Sequence, residues 1–130
     1  MAQTIIQAVG ETVWVKEESL LDTVTAISGS GPAYVFYFIE ALKAAGEKLG
    51  LDADQAEKLA IATFCGASEL ARQSDEPVPV LRERVTSPGG TTFAALSVME
   101  EARLKDHIIA AAVAAAKRSV ELGEAFGKVA

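Results

Sequence analysis

The chain has 130 residues, half of them apolar, with 12 basic against 18 acidic side chains and a formal net charge of −6. That length and apolar share predict a folded domain rather than a disordered segment, and the acidic balance argues against nucleic acid or an anionic membrane surface as the partner. Cys65 is the sole cysteine and His107 the sole histidine, so an intramolecular disulfide is excluded, no cysteine/histidine metal site is expected, and a reduced, cytoplasmic setting is the expectation.

The first twenty residues have no basic stretch followed by an unbroken apolar run, so they do not read as a secretory signal. The longest apolar stretches, Ala33–Ile39 and Ile108–Ala116, fall short of the ~20 residues of a membrane span. Alanine fills 24 of the 130 positions while aromatics make up 6%, a mixture that favours helices and lets their axes approach closely.

In chain order, Thr4–Val9 reads as the last turns of a helix, and Thr12–Val15, with its β-branched and aromatic residues, as a short strand. One strand has no partner, so this stretch is expected to be the tail of an αβ unit. From Ser19 onward Leu20, Leu21, Val24 and Ile27 recur at helical spacing until Gly29-Ser30-Gly31. Ser30 as N-cap and Pro32 in the first turn predict a helix from Gly31 to Leu49, closed by Gly50. Asp52 with Gln55 forms a capping-box pattern that opens a helix over Ala53–Gln73. Ser74–Pro79 reads as a loop, Val80–Val85 as one or two helical turns, and Thr86–Thr92 as irregular around Pro88, Gly89 and Gly90. Helices over Phe93–Ala102 and Lys105–Leu122 complete the chain, the second carrying the run Ala110–Ala116.

The segment Ser87–Thr92 is the strongest local candidate for chemistry. Two glycines precede a helix whose first N–H groups lack partners and carry partial positive charge, while Ser87, Thr91 and Thr92 add hydroxyl donors, a combination suited to a carboxylate or phosphate. The competing reading is an ordinary turn with Thr91 or Thr92 as N-cap. Gly29-Ser30-Gly31-Pro32 lacks the Gly-x-Gly-x-x-Gly spacing of a dinucleotide site and reads as a tight turn between helices. His107 sits beside Lys105 and Asp106 in a solvated setting, and Cys65, between Phe64 and Gly66, reads as a small buried residue. Tyr34, Phe36, Tyr37 and Phe38 crowd one helix with more aromatic surface than a monomer of this size needs, which points to an oligomer.

Two stretches carry a family resemblance: Asp22-Thr-Val-Thr-Ala-Ile-Ser-Gly-Ser-Gly-Pro-Ala-Tyr34, and Val85-Thr-Ser-Pro-Gly-Gly-Thr-Thr92 followed by Ala95-Leu96 and Glu100. With the intervening Gly46-Glu-Lys-Leu-Gly-Leu51, they resemble the C-terminal domain of the pyrroline-5-carboxylate reductases. The resemblance implies an all-α fold, a helical dimerisation domain of the 6-phosphogluconate-dehydrogenase-C-terminal-like type, here over 19–130, with residues 1–18 as the end of a Rossmann domain carrying the orphan strand. It also implies an NAD(P)H-dependent reductase of the last step of proline biosynthesis, with a small imino-acid substrate, L-proline as product, and a homodimer that can associate further. By the same resemblance Ser87, Gly89, Gly90, Thr91 and Thr92 bind substrate, Thr92 being the catalytic residue that hydrogen-bonds the ring nitrogen. Asp75 falls where some members carry a substrate-reaching glutamate, and Glu18 and Arg84 match positions near the cofactor, NADPH or NADH. No nucleotide fold is present to hold that cofactor tightly, so the chain alone is expected to be inactive. The alternative expectation is a stand-alone, non-catalytic helical dimerisation module; a related two-domain hydroxy-acid dehydrogenase is disfavoured by the Ser-Pro-Gly-Gly-Thr-Thr loop.

Overall fold

The computed structural model describes residues 2–7 and 10–127, and all regular structure among them is helical. The elements are α1 (Ala2–Gln7), α2 (Leu20–Val24), a π-helical turn (Thr25–Gly29), α3 (Gly31–Lys48), α4 (Ala53–Gln73), α5 (Val78–Arg84), α6 (Thr91–Glu101) and α7 (Leu104–Gly127). The chain divides into two compact units, Met1–Ser30 with Ala112–Ala130, and Gly31–Ala111.

The second unit is built on the α3–α4 hairpin. Gly50 and Leu51 turn the chain, and Asp52 starts α4 with both halves of the expected capping box: its carboxylate accepts from the Gln55 N–H at 2.8 Å while the Gln55 side chain accepts from the Asp52 N–H at 3.3 Å. The two helices approach closely at Gly46, where a Cβ would stand 3.0 Å from the Ala56 Cβ, and Ala56 and Ala60 are buried there. Phe38 and Phe64 stack across the pair with centroids 6.4 Å apart, and Lys43 pairs with Glu57 at 3.3 Å.

In the first unit, α2 passes directly into the π-helical turn, whose wide loop is closed by the Ser30 N–H donating to the Thr25 carbonyl at 2.8 Å. Pro32 gives the physical reason. It has no N–H, and its ring collides with the carbonyl four residues earlier in a straight helix, so α2 cannot continue into α3 without a widened turn. Ser30 accordingly lies in the helical region (φ −87°, ψ −23°) and is not the extended N-cap expected of it. The Ser119 hydroxyl of α7 donates to the Asp22 carboxylate of α2 at 2.6 Å, a half-buried tie across 97 residues of sequence.

Several other expectations are corrected. Thr12–Val15 is irregular and forms no strand, and no segment among the described residues pairs with it in a ladder; Val13 and Trp14 are exposed, and the Thr12 hydroxyl oxygen is buried without a partner. Helix α5 begins at Val78 rather than Val80, since Pro79 is tolerated in a first turn. Helix α6 begins at Thr91, capped by Gly90 in extended conformation, and α7 runs through Gly123 to Gly127. The expected helix end Thr4–Val9 is helical as far as Gln7; Ala8 and Val9 lie outside the described residues. Cys65 is exposed, not buried.

Candidate functional site

Helix α5 ends at Arg84, and the chain then makes two tight turns. The Thr86 N–H and hydroxyl bond back to the Glu83 and Arg82 carbonyls at 3.0 and 2.6 Å, which closes α5. Ser87-Pro88-Gly89-Gly90 follows as a β-turn in which the Gly90 N–H donates to the Ser87 carbonyl at 3.0 Å. Gly89 has φ +68° at the third position behind a proline, the type II arrangement that glycine alone adopts without strain.

The turn delivers the chain into α6 at Thr91. The Gly90 carbonyl accepts the first helical bond, from Ala94 at 3.1 Å, and no side chain caps this end. The N–H groups of Thr91 and Thr92 therefore face outward at the positive end of an eleven-residue helix. Gly90's own N–H is committed to the turn, so it is not among those free donors. Thr92 and Gly90 are half-buried, while Ser87, Gly89 and Thr91 are exposed. Such an arrangement suits a small carboxylate: two amide donors, adjacent hydroxyls and a favourable helix dipole. Beside it a cleft of about 340 Å³ between α5 and α6 is lined by Arg82, Thr86, Phe93 and Leu96.

Within the same unit, Asp75 and Arg84 are not drawn into this cluster. Asp75 is exposed in the α4–α5 loop, and among the described residues no hydrogen bond or ion pair joins it to the turn. Arg84 points its guanidinium to Glu76, held in turn by the Glu76 N–H donating to the Ser74 hydroxyl at 3.1 Å. Glu18 belongs to the first compact unit, where its carbonyl accepts the Leu21 N–H at 2.9 Å and its side chain is exposed. Sequence reasoning misses both Glu76 as the partner of Arg84 and the placement of Arg82 at the cleft. The first pair is eight residues apart across a loop, outside any helical spacing rule; the second follows from Arg82 and Thr86 lying four apart.

A family model described as pyrroline-5-carboxylate reductase dimerisation matches residues 18–122. Pyrroline-5-carboxylate reductase 2 of Bacillus subtilis is 43% identical over 125 residues, covering 96% of this chain and 45% of that protein. The solved pyrroline-5-carboxylate reductase of Coxiella burnetii superposes with a TM-score of 0.90 at 45% identity, over 93% of this chain and 45% of that one. The Plasmodium falciparum pyrroline carboxylate reductase with NADP bound gives 0.85 at 37% identity, over 94% of this chain and 49% of that one. The chain thus spans less than half the length of these relatives. With four-fifths of its residues inside the family model, this chain belongs to the pyrroline-5-carboxylate reductase dimerisation family.

Proposed function

We propose that this chain is the dimerisation and substrate-binding part of a pyrroline-5-carboxylate reductase, which reduces 1-pyrroline-5-carboxylate to L-proline with NAD(P)H. The observation that carries the reading is the Ser87–Gly90 turn feeding an uncapped α6 inside the family match. In this reading residues 19–130 are the helical domain, 1–18 close a neighbouring nucleotide-binding domain, and the protein works as a cytoplasmic homodimer.

The substrate offers one carboxylate and one C=N bond. The Thr91 and Thr92 N–H groups, with the Ser87 hydroxyl, bind and orient the carboxylate, and the Gly89 turn keeps bulk away from it. Reduction at the imine carbon sends the C=N electron pair to the ring nitrogen, and the Thr92 hydroxyl donates a hydrogen bond there as charge develops. That hydroxyl is too weak an acid to give up its proton alone; the proton comes from water or from an iminium already protonated. The described residues hold no strand leading into a Gly-x-Gly-x-x-Gly turn, so the nucleotide-binding part of the cofactor site is assigned to the neighbouring domain, with Glu18 and Arg84 near the cofactor.

Amide chemical shifts followed during titration with L-proline or a cyclic carboxylate analogue test the site. Shifts concentrated at 87–93 are expected, and shifts confined elsewhere refute it. Cofactor placement is tested by NADPH oxidation with pyrroline carboxylate, where negligible turnover by this chain is expected and turnover like that of an intact two-domain reductase refutes it.

A further inference from the structure

The cleft between α5 and α6 carries charges that the carboxylate site does not use. Along α6, Phe93, Leu96, Ser97 and Glu100 fall at i, i+3, i+4 and i+7 and share one face. Arg82 and Glu83 of α5, with Thr86 of the turn that follows it, line the same space of about 340 Å³. Phe93 is 52% exposed, an aromatic ring left to water. The volume falls in the lower part of the range for small-molecule pockets, about 300–1,000 Å³.

The polar groups of the cleft are not equally available to a ligand. The Thr86 hydroxyl donates to the Arg82 carbonyl at 2.6 Å and the Ser97 hydroxyl to the Phe93 carbonyl at 2.9 Å, so both hydroxyl protons are spent on the chain four residues back. Arg82, Glu83 and Glu100 make no side-chain ion pair among the described residues. Opposite charges therefore line one small cleft without neutralising each other. Glu100 also stands in the last turn of α6, which holds no basic residue, so its carboxylate adds to the negative carbonyl end of the helix and favours a cation there. Arg82 offers the complement, a planar guanidinium that matches a carboxylate with two parallel N–H donors. A ligand that is only an anion meets repulsion from Glu83 and Glu100, and one that is only a cation meets it from Arg82. A molecule with both charges close together and an apolar body satisfies the two ends and the floor at once.

We propose that the α5–α6 cleft binds a small apolar α-amino acid as its zwitterion, with the carboxylate on Arg82, the ammonium on Glu100 and the side chain over Phe93 and Leu96. The site is distinct from the amide donors of Thr91 and Thr92, because Glu100 lies eight residues beyond Thr92, about 12 Å along α6.

Titration of the 130-residue chain with L-leucine, followed by amide chemical shifts, tests the assignment. Saturating shifts at 82–86 and 95–100 are expected, half complete at about 1 mM. Isocaproate, which is leucine without its amine, and isoamylamine, which is leucine without its carboxylate, are each expected to bind there about tenfold more weakly. Arg82 and Glu100 are exposed side chains, so their replacement leaves the fold in place. Arg82→Gln and Glu100→Gln are each expected to weaken L-leucine about fivefold, and Glu101→Gln, next in sequence but outside the cleft, to leave it unchanged. No saturating shift at 82–86 and 95–100 by about 20 mM overturns the proposal. So does a single-charge analogue that binds as tightly as L-leucine, or a loss from Glu101→Gln equal to that from Glu100→Gln. Shifts confined to 87–92 place the ligand carboxylate in the turn, which overturns the cleft site and leaves the proposed substrate site standing.

Discussion

Gly89 shows how a single backbone angle sets the candidate site. At φ +68° a side chain costs about 1–2 kcal/mol, so Gly89→Ala is expected to lower the melting temperature by several degrees and to disperse the 87–92 amide shifts. An unchanged melting temperature would mean the turn carries no such demand. Thr92 is a different case, since its methyl-for-hydroxyl replacement removes a donor without changing volume. Thr92→Val is expected to leave the fold intact, and in an intact reductase carrying this domain to lower kcat about 100-fold, with Thr92→Ser retaining most activity; equal losses in both variants would remove the hydroxyl from the chemistry. Glu69 is held below the ordinary carboxylate range by hydrogen bonds from Arg72 first and Gln73 second. A lowered carboxylate contributes stability above its unfolded value and loses it as pH falls through the folded value. Here the group stands at the surface, so solvent screens the pairs, and Glu69→Gln is expected to leave the neutral-pH melting temperature nearly unchanged.

Among the elements, the α3–α4 hairpin is the one whose sequence pattern and packing agree most closely. Asp52 and Gln55 announce the start of α4 because both halves of a capping box lie within four consecutive residues, and the observed helix begins and ends at the expected residues. Elsewhere the determinants are not local. The π-helical turn answers to Pro32, which sits beyond it in sequence, and the strand expected at Thr12–Val15 needs a partner that sequence periodicity alone cannot provide. Helix α6 starts two residues before its expected first residue because the backbone of Gly90, rather than a threonine side chain, makes the cap. Gly46 carries family resemblance in the sequence, but its physical role emerges only where α4 crosses it. In a free helix, replacing glycine gains up to about 1 kcal/mol in propensity. Any Cβ at this position would stand 3.0 Å from the Ala56 Cβ, however, so overpacking of about 1–3 kcal/mol prevails for a branched residue. Gly46→Val is therefore expected to destabilise the chain in denaturant unfolding, and a neutral or stabilising result would show that the hairpin yields at this crossing.

At the scale of the whole molecule, the aromatic excess on α3 is legible in the sequence as surface seeking a partner, whereas the burial expected of Cys65 is not met within one chain. Cys65 lines an open groove with Phe36 and Phe64 rather than a closed core. Among the described residues only Ala26, Ala56 and Ala60 are buried, and no large side chain is fully enclosed. With so few side chains enclosed within one chain, surface covered between copies is expected to add to the hydrophobic stabilisation supplied by the half-buried helix contacts. That makes stability a mass-action quantity. For a folded dimer that unfolds to separate chains, each tenfold rise in concentration adds about 1.4 kcal/mol, which for a dimer of this size is about 3–5 °C in melting temperature. Melting followed by circular dichroism at 2, 20 and 200 micromolar chain is expected to climb by that step each time. A melting temperature independent of concentration would place the stabilising core within a single chain and refute the view that these helices complete their packing with a second copy.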